Sequence, residues 1–200
     1  MTFEHWELTK GERFKTAKSG IPKTDLDFVT KYTLFREQVE EWVSDPQSPE
    51  MFHSYKDPCM QFLLYLLHPV MEKETGLTLL PTYTYFRVYR NGAILEPHTD
   101  RSACEVSASM LVNANYENIW PLVAEGNSII QEQGDILIYR GCEVEHWREP
   151  FVTEHGNFHI QLFAHYVDAN GPYRMCAGDE NRIEPYPTKA DIESGRIPPS

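Results

Sequence analysis

The residues best suited to chemistry lie in one short stretch, residues 89–105, which reads YRNGAILEPHTDRSACE. At its centre, His98 and Asp100 are two positions apart, and residues i and i+2 of an extended strand project from the same face. An imidazole and a carboxylate placed in this way are two ligands for a divalent metal. His146 is the best candidate for the third ligand. Two histidines and one carboxylate on one side of a metal leave the opposite coordination positions open.

The metal hypothesis competes with a structural interpretation of the same residues. His-x-Asp pairs are frequent in unrelated chains, and His146 beside Trp147 also fits a buried, hydrogen-bonded histidine. The metal hypothesis is favoured because several predicted strands separate His146 from the pair His98 and Asp100, so a rolled sheet can bring them together. Each candidate ligand also follows a turn or a strand end. The arrangement is typical of non-haem Fe(II), although two histidines and an aspartate also suit zinc.

Length and composition predict one soluble globular domain over residues 1–200. The 200 residues are 41% hydrophobic and 24% charged, which is ordinary for a globular protein with a sizeable core. The formal net charge of −12 argues against partners such as nucleic acid or an anionic membrane. The four cysteines form no Cys-x-x-Cys pair, which favours a reducing, cytoplasmic location. We expect neither a signal peptide nor a membrane span, because no apolar run is long enough.

The first eighty residues carry two helical patterns. The first covers about residues 25–43, where apolar side chains recur at helical spacing, namely Phe28, Tyr32, Phe35, Val39 and Trp42. In the second, Asp57 is placed to cap the helix, Pro58 suits its first position, and Gly76 suits its C-cap. Because the second segment is apolar on most sides, we predict that it is well buried, with a kink at Pro69.

After residue 81 the apolar period changes from about 3.6 to 2. One face is predicted to carry Tyr83, Tyr85, Arg87 and Tyr89, and the other Phe86 and Val88. Further strand character lies at residues 94–95, 104–112, 128–131, 135–139 and 159–167. Short strands at this spacing predict a mainly β fold, a barrel or jelly roll over residues 81–168. The helical part, residues 1–80, is expected to pack outside it, and residues 169–200 are expected to form an arm or tail.

The motif Y-x-x-G-x-x-x-x-x-H-x-D, formed by Tyr89, Gly92, His98 and Asp100, resembles that of prolyl 4-hydroxylase-type enzymes. These enzymes belong to the Fe(II)- and 2-oxoglutarate-dependent oxygenases. The later segment G-D-x-x-x-Y, residues 134–139, is also similar to the strand that precedes the family's distal histidine. The resemblance covers about residues 83–167. It implies a double-stranded β-helix (cupin-like) core, Fe(II) bound by both histidines and the aspartate, 2-oxoglutarate and O2 as cosubstrates, and Tyr89 near the 2-oxoglutarate.

The chain departs from this family at the residue that binds the far carboxylate of 2-oxoglutarate. The family carries a Lys or Arg about ten residues after the distal histidine, but neither occurs between positions 149 and 171. A buried carboxylate needs a cation or several hydrogen-bond donors. The nearby candidates are Arg148, whose planar fork suits a carboxylate, Arg87, and His159 if it is protonated. The alternative role of Arg148 is a salt bridge at the rim with a neighbouring glutamate.

The resemblance implies a dioxygenase that hydroxylates a small-molecule or peptide substrate, with release of succinate and CO2. Hydroxylation is favoured because the related halogenases lack the carboxylate that Asp100 provides here. Arg101, next to this ligand, is expected to pair with a carboxylate, in a substrate loop or at the surface. Two alternatives are a cupin-like metal enzyme, an isomerase or hydrolase that does not use 2-oxoglutarate, and a metal-binding barrel without turnover. The pattern indicates neither the prime substrate nor an oligomeric state.

Overall fold

The computed structural model describes residues 13–40 and 51–179, and over these ranges it is mainly β. The helices are α1 (Lys23–Val39) and α2 (Pro58–Thr75), with short 3-10 helices at Ser102–Cys104 and Arg174–Asp179. The strands are β1 (Phe14–Lys18), β2 (Phe52–Tyr55), β3 (Leu79–Tyr89), β4 (Leu95–His98), β5 (Val106–Ala114), β6 (Leu122–Ala124), β7 (Asn127–Ile129), β8 (Asp135–Tyr139), β9 (His146–Arg148) and β10 (His159–Asp168).

The strands form two antiparallel sheets. The larger sheet has the order β1-β8-β5-β10-β3-β2, and the smaller has the order β4-β9-β6-β7. An apolar cluster joins the two sheets, because Leu95 and Leu122 of the smaller sheet pack with Leu137 and Tyr139 of the larger. Antiparallel sheets packed in this way, with strands that return across both, form the predicted jelly roll, so the fold class is confirmed.

The two faces of the larger sheet have different roles, as the period of two in β3 predicts. Phe86 and Val88 point to one face, where they pack with residues of α1 and α2 such as Leu26, Leu64 and Leu67. The helices therefore lie outside the barrel, as expected. The opposite face, which carries Tyr83, Tyr85, Arg87 and Tyr89, lines the interior between the sheets, and this interior contains the candidate site.

The structure shows which face of each helix is covered. In α1 the apolar residues at helical spacing lie largely in solvent, since Phe28, Phe35 and Val39 are exposed. The buried face instead includes Thr30 and Thr33, whose hydroxyls bond to backbone carbonyls of their own helix and can therefore enter the core.

The helix α2 was predicted to be well buried. The face that carries Met60, Leu64 and Leu67 is buried, whereas Phe62 and Tyr65 are exposed.

The caps of α2 are as predicted. Asp57 accepts a hydrogen bond from the backbone N–H of Met60, Pro58 occupies the first position, and Gly76 ends the helix with φ of 72°. The predicted end of α1 beyond residue 40 lies outside the described residues. No helix within the described ranges has the length and hydropathy needed to cross a membrane.

The predicted division of the chain also needs correction. The region of residues 1–80, predicted as helical, contributes β1 and β2 to the edges of the larger sheet, and β3 begins at residue 79. Two strands of three residues each, β6 and β9, were not predicted, because so few residues show no period. Of the C-terminal arm, residues up to 179 form a packed 3-10 helix, and the remainder lies outside the described residues.

Candidate active site

Two strands of the smaller sheet bring the candidate metal ligands together. His98 is the last residue of β4 and His146 is the first of β9, and the two residues are directly paired in register. Their ring centroids lie 4.4 Å apart. Asp100 follows two residues after His98, outside the strand, where its backbone N–H bonds to the carbonyl oxygen of Gly141 at 2.7 Å. The long-range pairing of β4 with β9 therefore brings His146, the third candidate ligand, next to His98.

The three side chains converge on one point. Oδ1 of Asp100 lies 3.7 Å from Nε2 of His98 and 3.7 Å from Nε2 of His146. Ligand atoms of all three residues fall within 4.8 Å of one another. His146 is 3% exposed at its side chain whereas His98 is 21% exposed, so solvent reaches the cluster from the side of His98. The arrangement has two nitrogens and one oxygen on one side, which suits one divalent ion.

The hydrogen bonds of the histidines fix the orientation of both rings. Nδ1 of His98 lies 2.7 Å from the carbonyl oxygen of Glu96, and Nδ1 of His146 lies 3.0 Å from that of Val144. A carbonyl only accepts, so each Nδ1 carries a proton and each Nε2 is turned towards Asp100; Nε2 of His146 also lies 3.4 Å from the hydroxyl of Tyr139. Metal-binding histidines are held in this way. Burial lowers the pKa of His98, and the neighbouring His146 adds to the shift, which favours the neutral ring that binds a metal.

Arg148 lies two residues beyond His146 and points to the same interior. Its side chain is buried, with 1% exposed, so the predicted alternative of a rim salt bridge is wrong. Nη1 donates to the carbonyl oxygen of Trp120 at 2.6 Å and Nη2 donates to Oε1 of Gln161 at 3.1 Å, while its Nε has no hydrogen-bond partner among the described residues. The guanidinium also lies 4.8 Å from the centre of the Trp120 ring.

The charge of Arg148 is therefore buried among neutral groups. Within the described ranges none of its hydrogen bonds goes to a carboxylate, and burial lowers the pKa of its guanidinium to about 10. Burying a charge without a counter-charge is costly. A carboxylate that enters beside Arg148 would relieve this cost and bond to the fork.

A hydrogen-bond network fixes Gln161, the partner of Arg148 on β10. Its Oε1 accepts from Arg148 and from Nε2 of His159, at 3.1 Å and 2.9 Å. Its Nε2 donates to Oγ of Ser109 at 2.8 Å and to Oε1 of Gln131 at 3.0 Å. Every polar atom of the Gln161 side chain is thus used, so the amide has one orientation and holds the guanidinium in place.

His159 does not provide the positive charge considered from the sequence. Burial lowers the pKa of His159 well below its usual value, and the charge of Arg148 lowers it further, so the ring is neutral. Its Nε2–H donates to Gln161, and its Nδ1 therefore accepts from the hydroxyl of Tyr116 at 2.8 Å. His159 contributes to the orientation of Gln161.

Arg87 and Tyr89 lie on the wall opposite Arg148. Both are buried on the inner face of β3, and Nη1 of Arg87 lies 3.5 Å from the hydroxyl of Tyr89. The Arg87 guanidinium stands over the ring of Tyr85, and its charge contributes to the lowered pKa of His98. Both arginines are therefore buried, Arg87 on β3 of the larger sheet and Arg148 on β9 of the smaller.

Arg101 binds a carboxylate of the C-terminal arm. Its two terminal nitrogens donate to the two oxygens of Asp179 at 2.8 Å and 2.6 Å, and its guanidinium lies 4.4 Å from the centre of the Tyr83 ring. Since Asp179 is 5% exposed, this is not an ordinary surface ion pair. The contact fixes the 3-10 helix Arg174–Asp179 next to the loop that carries Asp100.

Several polar residues of the interior were missed in the sequence, namely Ser107, Ser109, Gln131, Gln161 and His165. A usable signal was present in β10, which reads HIQLFAHYVD. His159, Gln161 and His165 fall at even spacing on an otherwise apolar strand, so they share one face. Polar residues confined to the inner face of a buried strand indicate a polar interior, because buried polar groups require partners.

The fold, a double-stranded β-helix, is shared with solved structures of prolyl-4-hydroxylases and of a non-heme alpha ketoglutarate dependent epimerase. The fold resemblance inferred from the Tyr89–Asp100 motif is thereby confirmed. No protein-family model matches the chain, and a sequence comparison with curated proteins gives no match.

Three solved structures illustrate the likeness. A Pseudomonas putida prolyl-4-hydroxylase aligns with a TM-score of 0.63 and 18% identity, over 79% of this chain and 94% of that one. The viral collagen prolyl hydroxylase of Paramecium Bursaria Chlorella virus-1, solved with 2-oxoglutarate, aligns with 0.60 and 10% identity, over 78% and 97%. The epimerase SnoN, in complex with Fe3+, alpha ketoglutarate and nogalamycin RO, aligns with 0.65 and 12% identity, over 79% and 80%. At these identities the likeness establishes the fold.

Proposed function

We propose that the chain is a non-haem Fe(II)- and 2-oxoglutarate-dependent dioxygenase that hydroxylates a small-molecule or peptide substrate. One observation carries the proposal: Nε2 of His98, Nε2 of His146 and Oδ1 of Asp100 converge, and β9, which carries His146, also carries the buried guanidinium of Arg148. A cluster suited to a cation beside a group suited to an anion matches a metal and a dicarboxylate that bind together. Structures of this fold that contain iron with alpha ketoglutarate, or nickel with 2-oxoglutarate, support the assignment.

His98, Asp100 and His146 would hold the metal. When bound, Fe(II) together with 2-oxoglutarate and O2 supplies the oxidising chemistry, with release of succinate and CO2. The carbonyl oxygens of Glu96 and Val144 bind Nδ1 of the two histidines, which fixes the ring orientations and leaves Nε2 of each ring to bind the metal. Asp100 provides the negative charge of the ligand set.

Arg148 would bind the far carboxylate of 2-oxoglutarate. Its Nη2 already reaches Gln161 of the last strand, which is the strand where the prolyl 4-hydroxylase-type enzymes carry their basic residue. The guanidinium thus compensates for the absence of Lys and Arg on β10. Tyr89, whose hydroxyl faces the same interior, would donate a further hydrogen bond to the cosubstrate. Arg87 is the alternative anchor, since it is buried beside Tyr89 on the inner face of β3.

The substrate would approach from the side of His98, the more exposed histidine of the cluster. Hydroxylation is proposed over halogenation because Asp100 is a carboxylate in the ligand set and leaves no position for a halide. The surrounding wall is aromatic, with Tyr85 and Phe163 on neighbouring strands, and it excludes water from the reacting region.

The test begins with binding and ends with turnover. The metal-free protein is titrated with Fe(II) without oxygen, then with 2-oxoglutarate, and the charge-transfer absorption of a chelated 2-oxo acid is recorded. Oxygen and ascorbate are then added, and succinate is measured. The proposal expects one equivalent of metal, a charge-transfer band and succinate formation above that of the His146→Ala variant.

Two other outcomes favour the alternatives. Tight binding of zinc or iron without any effect of 2-oxoglutarate would favour a cupin-like isomerase or hydrolase that uses the same three ligands. Binding of both metal and 2-oxoglutarate without succinate, even when candidate peptides and small molecules are supplied, would favour a binding protein without turnover.

A further inference from the structure

A second group of potential ligands lies on the other side of the Asp100 carboxylate. Asp100, Cys104 and His165 also place ligand atoms within 4.8 Å of one another. The two oxygens of Asp100 are divided between the two groups, since Oδ1 faces His98 and His146 whereas Oδ2 lies 3.2 Å from Oγ of Ser107. The second group is therefore either another metal site or a support for Asp100.

The packing around Oδ2 favours the support. A Cβ added to Gly141 would lie 2.1 Å from the carbonyl oxygen of Cys104, 2.7 Å from Oδ2 of Asp100 and 2.8 Å from Oγ of Ser107, so backbone already fills this side. The Cys104 sulfur lies 3.1 Å from the hydroxyl of Tyr83, so it already has a hydrogen-bond partner. The filled space around Oδ2 leaves no room for an ion between Cys104, His165 and Asp100.

The directions of the hydrogen bonds follow from the number of protons. Oγ of Ser107 has a single proton and lies 2.9 Å from Nδ1 of His165, 3.2 Å from Oδ2 of Asp100 and 3.1 Å from the carbonyl oxygen of Cys104. Of the two acceptors, the charged Oδ2 of Asp100 is preferred to the neutral carbonyl, because hydrogen bonds to ionised groups are stronger. Ser107 must then accept from His165, whose neutral ring carries its proton on Nδ1. The chain of donors runs from His165 through Ser107 to Asp100.

We propose that Ser107 is a positioning residue that holds Oδ2 of Asp100 away from the metal, so that the carboxylate binds the metal through Oδ1 alone. His165 orients the Ser107 hydroxyl. The proposal rests on the proposed metal centre and adds that this centre depends on β5 and β10, two strands that contribute none of its ligands. Residues that orient a metal ligand through a hydrogen bond change metal affinity by about ten- to a hundredfold.

The decisive comparison uses two serines on the same face of β5. Ser107→Ala removes the donor to Asp100, and Ser109→Ala removes the oxygen that accepts from Gln161 at the other end of the interior. Metal-free protein is titrated with Co(II), and affinity, stoichiometry and the visible spectrum are recorded. We expect about a ten- to hundredfold loss of affinity and an altered spectrum for Ser107→Ala. Wild-type affinity and spectrum are expected for Ser109→Ala.

A pair of variants at His165 separates the hydrogen bond from packing. His165→Asn keeps an N–H near the position of Nδ1, whereas His165→Leu removes it. We expect Asn to retain most of the Co(II) affinity and Leu to lose it. Equal effects of Asn and Leu, or wild-type affinity in Ser107→Ala, overturn the positioning role. Two equivalents of Co(II) in the wild type, reduced to one by Ser107→Ala, show a second metal site instead. A wild type that binds no metal refutes the proposed function.

Discussion

The two ends of the barrel interior hold opposite charges, and residues of the same two strands, β5 and β10, contact both. At the metal end, Ser107 of β5 directs its hydroxyl at the carboxylate of Asp100, and His165 of β10 hydrogen-bonds that hydroxyl. At the other end, Gln161 of β10, which donates to a serine of β5, directs its acceptor oxygen at the guanidinium of Arg148. The same pair of neighbouring strands therefore supports an anion at one end and a cation at the other.

The difference between the ends lies in what each charge still requires. The carboxylate of Asp100 lies beside two imidazole rings, so the proposed metal end still lacks a cation. Arg148 is surrounded by neutral acceptors and an aromatic ring, so the anchor end requires an anion. A charge in the low-dielectric interior without a counter-charge is unstable, and each end is therefore incomplete without its ligand. A mutation at one end should therefore change the affinity for the ligand of that end and leave the affinity for the other ligand nearly unchanged.

The largest expected effect is at the metal end. His146→Ala removes a ligand that is buried and paired with His98, so metal affinity should fall by more than about a hundredfold, beyond the range for residues that only support a ligand. Turnover should be lost while the β core stays folded. Co(II) titration, succinate formation and circular dichroism measure the three properties. His155→Ala, at an exposed histidine, is the control and should behave as wild type. A variant that retained wild-type metal affinity would show that the metal lies elsewhere.

The support of the metal end should also be visible in the pH dependence of stability. Burial lowers the pKa of His165 to about 4, from about 6.5 in an unfolded chain. Between these values the unfolded state binds more protons, so stability falls as the pH falls from about 6.5 to 4, by about 3 kcal/mol for this group. Glu105 acts in the opposite direction, because burial raises its pKa to about 7.

The difference between wild type and His165→Asn isolates the histidine. Urea unfolding of both metal-free proteins at several pH values should show wild type losing stability relative to His165→Asn as the pH falls from about 6.5 to 4, because the contribution of Glu105 is common to both proteins and cancels in the difference. Parallel profiles for the two proteins would mean that folding does not lower the pKa of His165.

The next effect concerns the anchor end. Arg148→Ala should weaken 2-oxoglutarate binding by about ten- to a hundredfold, because hydrogen bonds to charged groups contribute about 1.5–3 kcal/mol. Metal affinity should change far less, which is the separation that the comparison predicts. Calorimetric titration of 2-oxoglutarate into the metal-loaded protein measures the effect.

Two matched variants sharpen this prediction. Arg148→Lys retains the charge without the planar fork and should lie between Ala and wild type. Arg87→Ala tests the alternative anchor. Weakened binding in Arg87→Ala with wild-type binding in Arg148→Ala would assign the far carboxylate to Arg87.

The smallest effect is expected for Tyr89→Phe. Tyr89 is fully buried, and the substitution removes only its hydroxyl, so one neutral hydrogen bond to the cosubstrate is lost. Such a bond contributes about 0.5–1.5 kcal/mol, which corresponds to about a two- to tenfold change in 2-oxoglutarate affinity. The same titration measures it, with metal affinity as the internal control. A change in metal affinity larger than that in 2-oxoglutarate affinity would show that Tyr89 acts on the metal ligands and not on the cosubstrate.

The sequence predicted the features that depend on neighbouring residues. The period of two in β3 separated the interior face from the core face, with Phe86 and Val88 correctly assigned to the core. Asp57 and Gly76 were correctly placed as the caps of α2 because capping is a local interaction. The His98–Asp100 pair was recognisable for the same reason, since its spacing alone places both side chains together.

Residue types at helical spacing were not sufficient to predict which helix face is covered. Phe28 and Phe35 of α1 have the spacing of a core stripe and are exposed, whereas Thr30 and Thr33 are buried. Sequence spacing states which residues share a face, but only the neighbouring sheet decides which face is covered. The threonines tolerate burial because their own helix satisfies their hydroxyls.

The composition of the site was decided by long-range pairing. His146 becomes a partner of His98 only because β9 pairs with β4, and β9 is too short to show a period. In the sequence, Arg148 on the same strand was a candidate anchor with a rim salt bridge as the alternative, and only the packing of Trp120 and Gln161 around it makes it a buried charge. Local sequence determines which side chains point together, because backbone geometry repeats every few residues. The charged and polar groups that surround a side chain come from strands distant in sequence. The burial of Arg148, the proposed anchor, and the contacts of Ser107 and His165 with Asp100 were therefore determined only by the tertiary structure.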